Sequence, residues 1–207
     1  MRTYITIHNV NKELHNRIES WVNKEGEEDY GGGDFNIPRI FSDLYDMEFI
    51  PEEHLNRVWL DNNIGSKWIS FEIDYMDDDE IKINTETAWS VPFNFLERLS
   101  KKITNHDTFI SGVFEDESFD PCGAFCYGVD DYHDVEELEE GEIDFERLWD
   151  DEDYYQQVIE YLIELQNKMI VWYRVFQKDS EQSEDELTNS TLSTDPDDIT
   201  FDSGSNT

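Results

Sequence analysis

The sequence predicts an α+β protein: a ferredoxin-like, split βαβ sheet with an added strand and a long C-terminal amphipathic helix. Three observations carry that expectation. Apolar and polar residues alternate with period 2 in several short stretches, helical spacing fills the intervals between them, and one unbroken helical stripe follows the last of the strands. Beyond that stripe the chain holds almost nothing to bury.

Ile5 and Ile7 alternate with Tyr4, Thr6 and His8, which makes the first strand. Asn11 stands where a helix N-cap belongs, and Leu14, Ile18, Trp21 and Val22 then share one helical face. Residues 25–35 read as a loop. Its Gly31-Gly32-Gly33 triplet is a hinge or spacer, since no Lys-Ser or Lys-Thr follows to make a phosphate cradle. Residues 37–45 form a short helix and residues 51–56 a further helical turn. In the stretch 65–100, Ile69, Phe71, Ile73 and Tyr75 alternate with Trp68, Ser70, Glu72 and Asp74. An acidic turn at residues 77–79 leads to Ile81, Ile83 and Thr85, giving an antiparallel hairpin with carboxylates on its wet face. Ser90 stands as an N-cap, with Pro92 in the first turn of a helix striped by Phe93, Phe95, Leu96 and Leu99. Ile110, Gly112 and Phe114, alternating with Phe109, Ser111 and Val113, supply another strand, and residues 122–129 one more. The order strand, helix, strand, strand, helix, strand is the split βαβ arrangement.

Two segments, Gly65-Ser66-Lys67-Trp68 and Thr87-Ala88-Trp89-Ser90-Val91-Pro92, followed by Leu99-Ser100, resemble the core pattern of the YubB-type ferredoxin-like family carried by phages and plasmids. Glu117, Gly123, Phe125 and Gly128 resemble the strand that closes that domain. The resemblance covers the middle third of the chain. It implies a fold and a mobile-element origin, brings no catalytic residues, and makes Trp68 and Trp89 core residues.

From residue 153 to 176, Tyr155, Val158, Ile159, Leu162, Leu165, Met169, Trp172 and Phe176 recur at threes and fours with no Pro or Gly between them. So broad a stripe packs on the sheet; a homodimer seam is the competing reading. One domain is therefore expected over residues 1–176, with an acidic insertion at 130–153. Residues 177–207, almost all Ser, Thr, Asp, Glu and Asn with no base after Lys178, are expected to form a disordered tail.

The 207 residues carry 51 acids against 15 bases, a formal charge of -36. Nucleic acids and anionic membranes bind through Lys and Arg, so neither is expected as a direct ligand. No stretch has signal-peptide or membrane-span character, and a cytoplasmic protein is expected, in the host cell if the chain is phage-encoded. Cys122 and Cys126 share one face of a strand, too far apart for an easy disulfide, and read as reduced packing residues. The histidines form no H-x-x-x-H pair, the acidic turn lacks the order of a calcium loop, and no nucleophile motif is present. No cofactor, no metal and no enzymatic activity are expected.

The acidity itself is the functional candidate. Residues 130–153 are dense in carboxylates, with Arg147 the only Lys or Arg, yet Val135, Leu138, Ile143, Phe145, Leu148 and Trp149 punctuate them. An acidic segment anchored in this way presents a fixed surface. Carboxylates a helical turn or two strand residues apart stand about 5 to 7 Å from one another, close to the spacing of successive phosphates. The expected partner-binding residues are Asp130, Asp131, Asp134, Glu136, Glu137, Glu139, Glu140, Glu142, Asp144, Glu146, Asp150 and Asp151. A secondary acidic face is expected from Asp74, Asp77, Asp78, Asp79, Glu80, Glu115, Asp116 and Glu117. The expected function is imitation of nucleic acid in the basic groove of a host DNA-binding or defence protein, such as a restriction, CRISPR or recombination nuclease. The alternative is a structural or regulatory interaction module whose acidity serves solubility.

Overall fold

The computed structural model describes residues 1–23, 34–47, 56–138 and 141–191, apart from the side chains of Phe145, Glu146, Trp149 and residues 181–191. Six strands pair into one antiparallel sheet: β1 (Arg2–His8), β2 (Ile69–Met76), β3 (Glu80–Thr87), β4 (Phe109–Glu115), β5 (Cys122–Tyr127) and β6 (His133–Glu137), in the order β2-β3-β1-β4-β5-β6. The fold is α+β, with helices on both sides of that sheet.

Successive strand residues point to opposite faces, and this separates two cores. On one side Ile5, Ile7, Phe71, Ile83, Ile110 and Phe125 meet α1 (Lys12–Glu19), α2 (Ile37–Leu44), α3 (Arg57–Ile64) and α4 (Phe93–Ile103). On the other, Phe109, Ala124 and Cys126 pack under Leu165, Met169 and Tyr173 of α6 (Glu152–Thr191), while Phe119 and Cys122 meet Leu148 of α5 (Phe145–Asp150) and Leu162 of α6. β4 and β5 are thus covered on both faces, which is why β5 is buried throughout and shows no alternation. Gly128 just beyond β5 lets Tyr173 approach so closely that an added Cβ would lie 2.0 Å from the ring. Tyr173 Oη accepts a hydrogen bond from Val129 N at 3.2 Å, which ties helix to sheet.

Local chemistry accounts for most boundaries. Asn11 Oδ1 accepts from Leu14 N at 2.9 Å and caps α1, and Asn56 caps α3 through Val58 N and Trp59 N, both at 3.1 Å. Asp77 Oδ1 accepts from Asp79 N and Glu80 N at 2.9 Å each, which closes the expected acidic turn.

Several expectations require correction. Ser90 does not cap α4: Pro92 holds that place without a side-chain cap, and the Ser90 hydroxyl donates to Gly65 O. Tyr75 leaves the packed face because the register of β2 on β3 shifts between Ile73 and Tyr75, and one extra residue turns all later side chains over. Trp68 and Trp89 are not core residues; they are 47% and 77% exposed. The C-terminal helix continues past residue 176 to Thr191, where the composition predicts a disordered tail. The rest of that tail, 192–207, lies outside the described residues, as do the glycine triplet and residues 51–55 of the helical turn expected at 51–56. The acidic insertion contains a strand, β6, and a helix, α5, and α3 was likewise not anticipated.

Candidate acidic interface

Strand register decides which carboxylates meet. Glu80 of β3 lies opposite His8 of β1, His8 opposite Phe109 of β4, and Ile110 opposite Tyr127 of β5. The β2–β3 turn and the β5–β6 turn therefore occupy the same end of the sheet, while the β4–β5 loop and the chain after β6 occupy the other. The two acidic turns are also separated laterally, since β3 and β5 stand about 14 Å apart at roughly 4.8 Å per strand. The expected acids accordingly form two end rims and one edge rather than a single face.

The edge is the most continuous of these. Asp130 and Asp131 sit at φ 56 and 57 between Val129 and Tyr132, and Tyr132 N donates to Val129 O at 2.9 Å. This is the two-residue turn whose twist suits a hairpin, in a conformation that Asp tolerates better than most residues. β6 follows as the outermost strand, with Asp134 and Glu136 on the α6 side and His133, Val135 and Glu137 on the other. Alternate residues on such a strand stand about 7 Å apart. Ile143 and Leu148 are buried against Phe119, Cys122, Val158 and Leu162, so the chain after β6 is anchored as its apolar residues predict. Val135, in contrast, remains exposed. Asp144 caps α5 through Arg147 N at 3.2 Å and donates its own N–H to Tyr154 Oη at 2.8 Å. Arg147 is spent internally, with Nε 2.7 Å from Asp151 Oδ2 and the guanidinium 4.4 Å from the Tyr154 ring. The Asp151 carboxyl lies below its usual range for that reason, with Tyr154 N as a second donor. Glu142 and Asp150 are exposed; Glu139, Glu140 and the side chain of Glu146 lie outside the described residues.

The secondary set disperses. Asp74, Asp78 and Asp79 are exposed at the hairpin end, and Glu80 approaches Lys82 at 3.1 Å. Asp77 serves the turn: the Tyr75 hydroxyl and the two backbone donors hold its carboxyl below the usual range. Asp116 and Glu117 belong to the opposite end, where Asp116 lies 3.6 Å from the terminal amine. Glu115 leaves the set altogether. Its side chain is buried and accepts from the Tyr4 hydroxyl at 3.0 Å, while Oε2 finds no partner, and burial pushes its carboxyl up.

One constellation has the order of a nucleophile relay. His8 Nε2 lies 2.8 Å from Ser111 Oγ, and His8 Nδ1 lies 3.7 Å from Glu80 Oε2. Ser111 is fully buried, however, and its hydroxyl also accepts from Gln166 Nε2 at 2.8 Å. The His8 ring is stacked 4.4 Å from Phe109, and burial lowers its pKa to about 4. With no access for a substrate to Ser111, this is a polar seam that ties β1 and β4 to α6. Both cysteines are free and buried, each pushed up to about 12 by burial, as packing residues should be. Among the described residues no three His, Cys, Asp or Glu side chains gather as a metal site, and no helix is long and apolar enough to cross a membrane.

The sequence reading missed the exposed aromatics. Trp68 precedes β2 and Trp89 follows β3, both exposed, and Tyr161, Val171, Trp172 and Val175 form an exposed flank of α6 beside the buried stripe. The α6 flank is legible as the excess width of that stripe. No family model, curated protein or solved structure matches this chain.

Proposed function

We propose that the chain is a ferredoxin-like, non-enzymatic inhibitor of phage or plasmid type that imitates nucleic acid in the basic groove of a host DNA-binding or defence protein. The order β2-β3-β1-β4, with β1 between β3 and β4, supports the ferredoxin-like reading of the sheet. One observation carries the functional reading. Asp130 and Asp131 of the β5–β6 turn and Asp134, Glu136 and Glu137 of β6 lie along the outer edge of the sheet, Ile143 and Leu148 anchor the chain beyond it, and Arg147 there is neutralised internally by Asp151. A groove that binds DNA gains from releasing condensed counterions, and a row of fixed carboxylates about 7 Å apart offers it the same exchange. The partner is a basic protein in the host cytoplasm.

The exposed flank of α6 favours a second reading, an interaction module whose contact is aromatic and whose acidity keeps it soluble. Charge reversal separates the two. Replacing Asp134, Glu136 and Glu137 by Lys should abolish capture of a DNA-binding host protein at low salt while leaving the urea midpoint nearly unchanged. Unchanged capture by that variant, with loss on Trp172→Ala, would replace mimicry by the second reading.

A further inference from the structure

Trp89 sits between β3 and α4 at φ 61, a backbone conformation that large L side chains rarely adopt, and it is 77% exposed, the most of the large apolar residues among those described. The surrounding chain is braced to keep it there. Thr87 Oγ1 donates to Ser90 O at 2.7 Å, and the Ser90 hydroxyl donates to Gly65 O. Ser66, buried beneath, accepts from Ala88 N at 2.9 Å and has its hydroxyl 3.0 Å from Trp68 O. Three hydroxyls thus fix the backbone on both sides of two exposed tryptophans. The indole of Trp89 is not bare: Lys67 Nζ lies 3.8 Å from its ring centroid. Among the described residues Lys67 makes no ion pair. The ring face is where this cation rests.

We infer that the Trp89 face is a cation-accepting contact that takes an arginine side chain from a basic partner protein, with Lys67 as the resident cation that the arginine displaces. The inference rests on the proposed basic partner and gives it a second, uncharged foothold. A planar guanidinium stacks on an indole over a larger area than an ammonium and gives up hydration more readily, so arginine outcompetes lysine on such a ring. A formal charge of -36 draws cationic surfaces and opposes a second copy of the chain. The same charge disfavours a nucleobase on this ring, because its phosphates would come with it.

The test uses the full chain with two synthetic probes of equal charge, deca-arginine and deca-lysine, titrated calorimetrically at physiological ionic strength. Trp89→Leu should weaken deca-arginine at least fivefold and deca-lysine less than twofold, and Trp89→Phe should restore part of the arginine preference. Lys67→Gln should tighten deca-arginine more than Lys12→Gln, which removes an equal charge from α1. Equal binding of both probes by wild type and Trp89→Leu, with matching urea midpoints, would overturn the inference. So would equal effects of Lys67→Gln and Lys12→Gln, or a dimer that Trp89→Leu dissociates. The readout involves no DNA, so its failure is distinct from failure of mimicry.

Discussion

His8 lies under α6 with its ring on Phe109 and its Nε2 against Ser111. Burial is the main reason that its pKa falls to about 4; Arg174 and Lys82 act in the same direction, and Glu80 opposes them. A histidine held neutral in the folded state stabilises the fold fully above its unfolded pKa, near 6.5. That contribution is lost as pH falls through the folded value. Between pH 7.5 and 5 the loss should be about 2 kcal/mol, at roughly 1.4 kcal/mol per unit. Glu115 acts in the opposite sense, since its raised pKa gives stability present at low pH and lost as pH rises through the folded value. Comparing wild type with His8→Gln by urea unfolding at both pH values cancels the carboxylates, and an identical pH slope in the two would refute the buried neutral ring. Trp89 makes a second prediction. Trp89→Gly should stabilise the protein by about 1 kcal/mol, because glycine relieves the positive φ and an exposed indole contributes little packing. The sequence hides this residue well, since a tryptophan next to a strand end reads as core until the backbone at Ala88 and Ser90 shows which way it points.

At the scale of elements, legibility follows apolar content. β1, the β2–β3 hairpin and α6 were readable because each buries one face and carries the matching period. β6 was not, because its sequence His-Asp-Val-Glu-Glu has one apolar residue and owes its strand form to pairing with β5. α5 is a single short helix cap-stabilised by Asp144, which leaves too little sequence for a period. The bulge in β2 is a pairing property that no single-strand pattern contains. The close approach of α6 to the sheet depends on Gly128. Gly128→Ala should cost about 1 to 3 kcal/mol by forcing Tyr173 aside. Denaturation of that variant would be scored by its urea midpoint, and no loss would mean that α6 rides higher on the sheet than described. Leu148→Ala should cost about 2 to 5 kcal/mol and loosen the acidic edge, because Leu148 is buried in the cluster that anchors it.

For the whole molecule, charge is the dominant property. A formal charge of -36 works against compactness, and added salt should raise the urea midpoint before any specific effect appears. The quantity of acid was legible in the sequence; its distribution was not, because strand order sends the two acidic turns to separate parts of one end and leaves the β6 edge to carry the continuous row. Among the described residues of that row, Arg147 is committed to Asp151, and Lys101 Nζ lies 3.9 Å from Asp131 Oδ1. The measurement that tests the central claim most directly is a titration of the captured partner with labelled DNA at increasing concentrations of this protein. Mimicry predicts strict competition, with the apparent DNA affinity falling in proportion to the protein added and the effect vanishing at high salt. A ternary complex in which the partner holds DNA and this protein together without mutual weakening would contradict it.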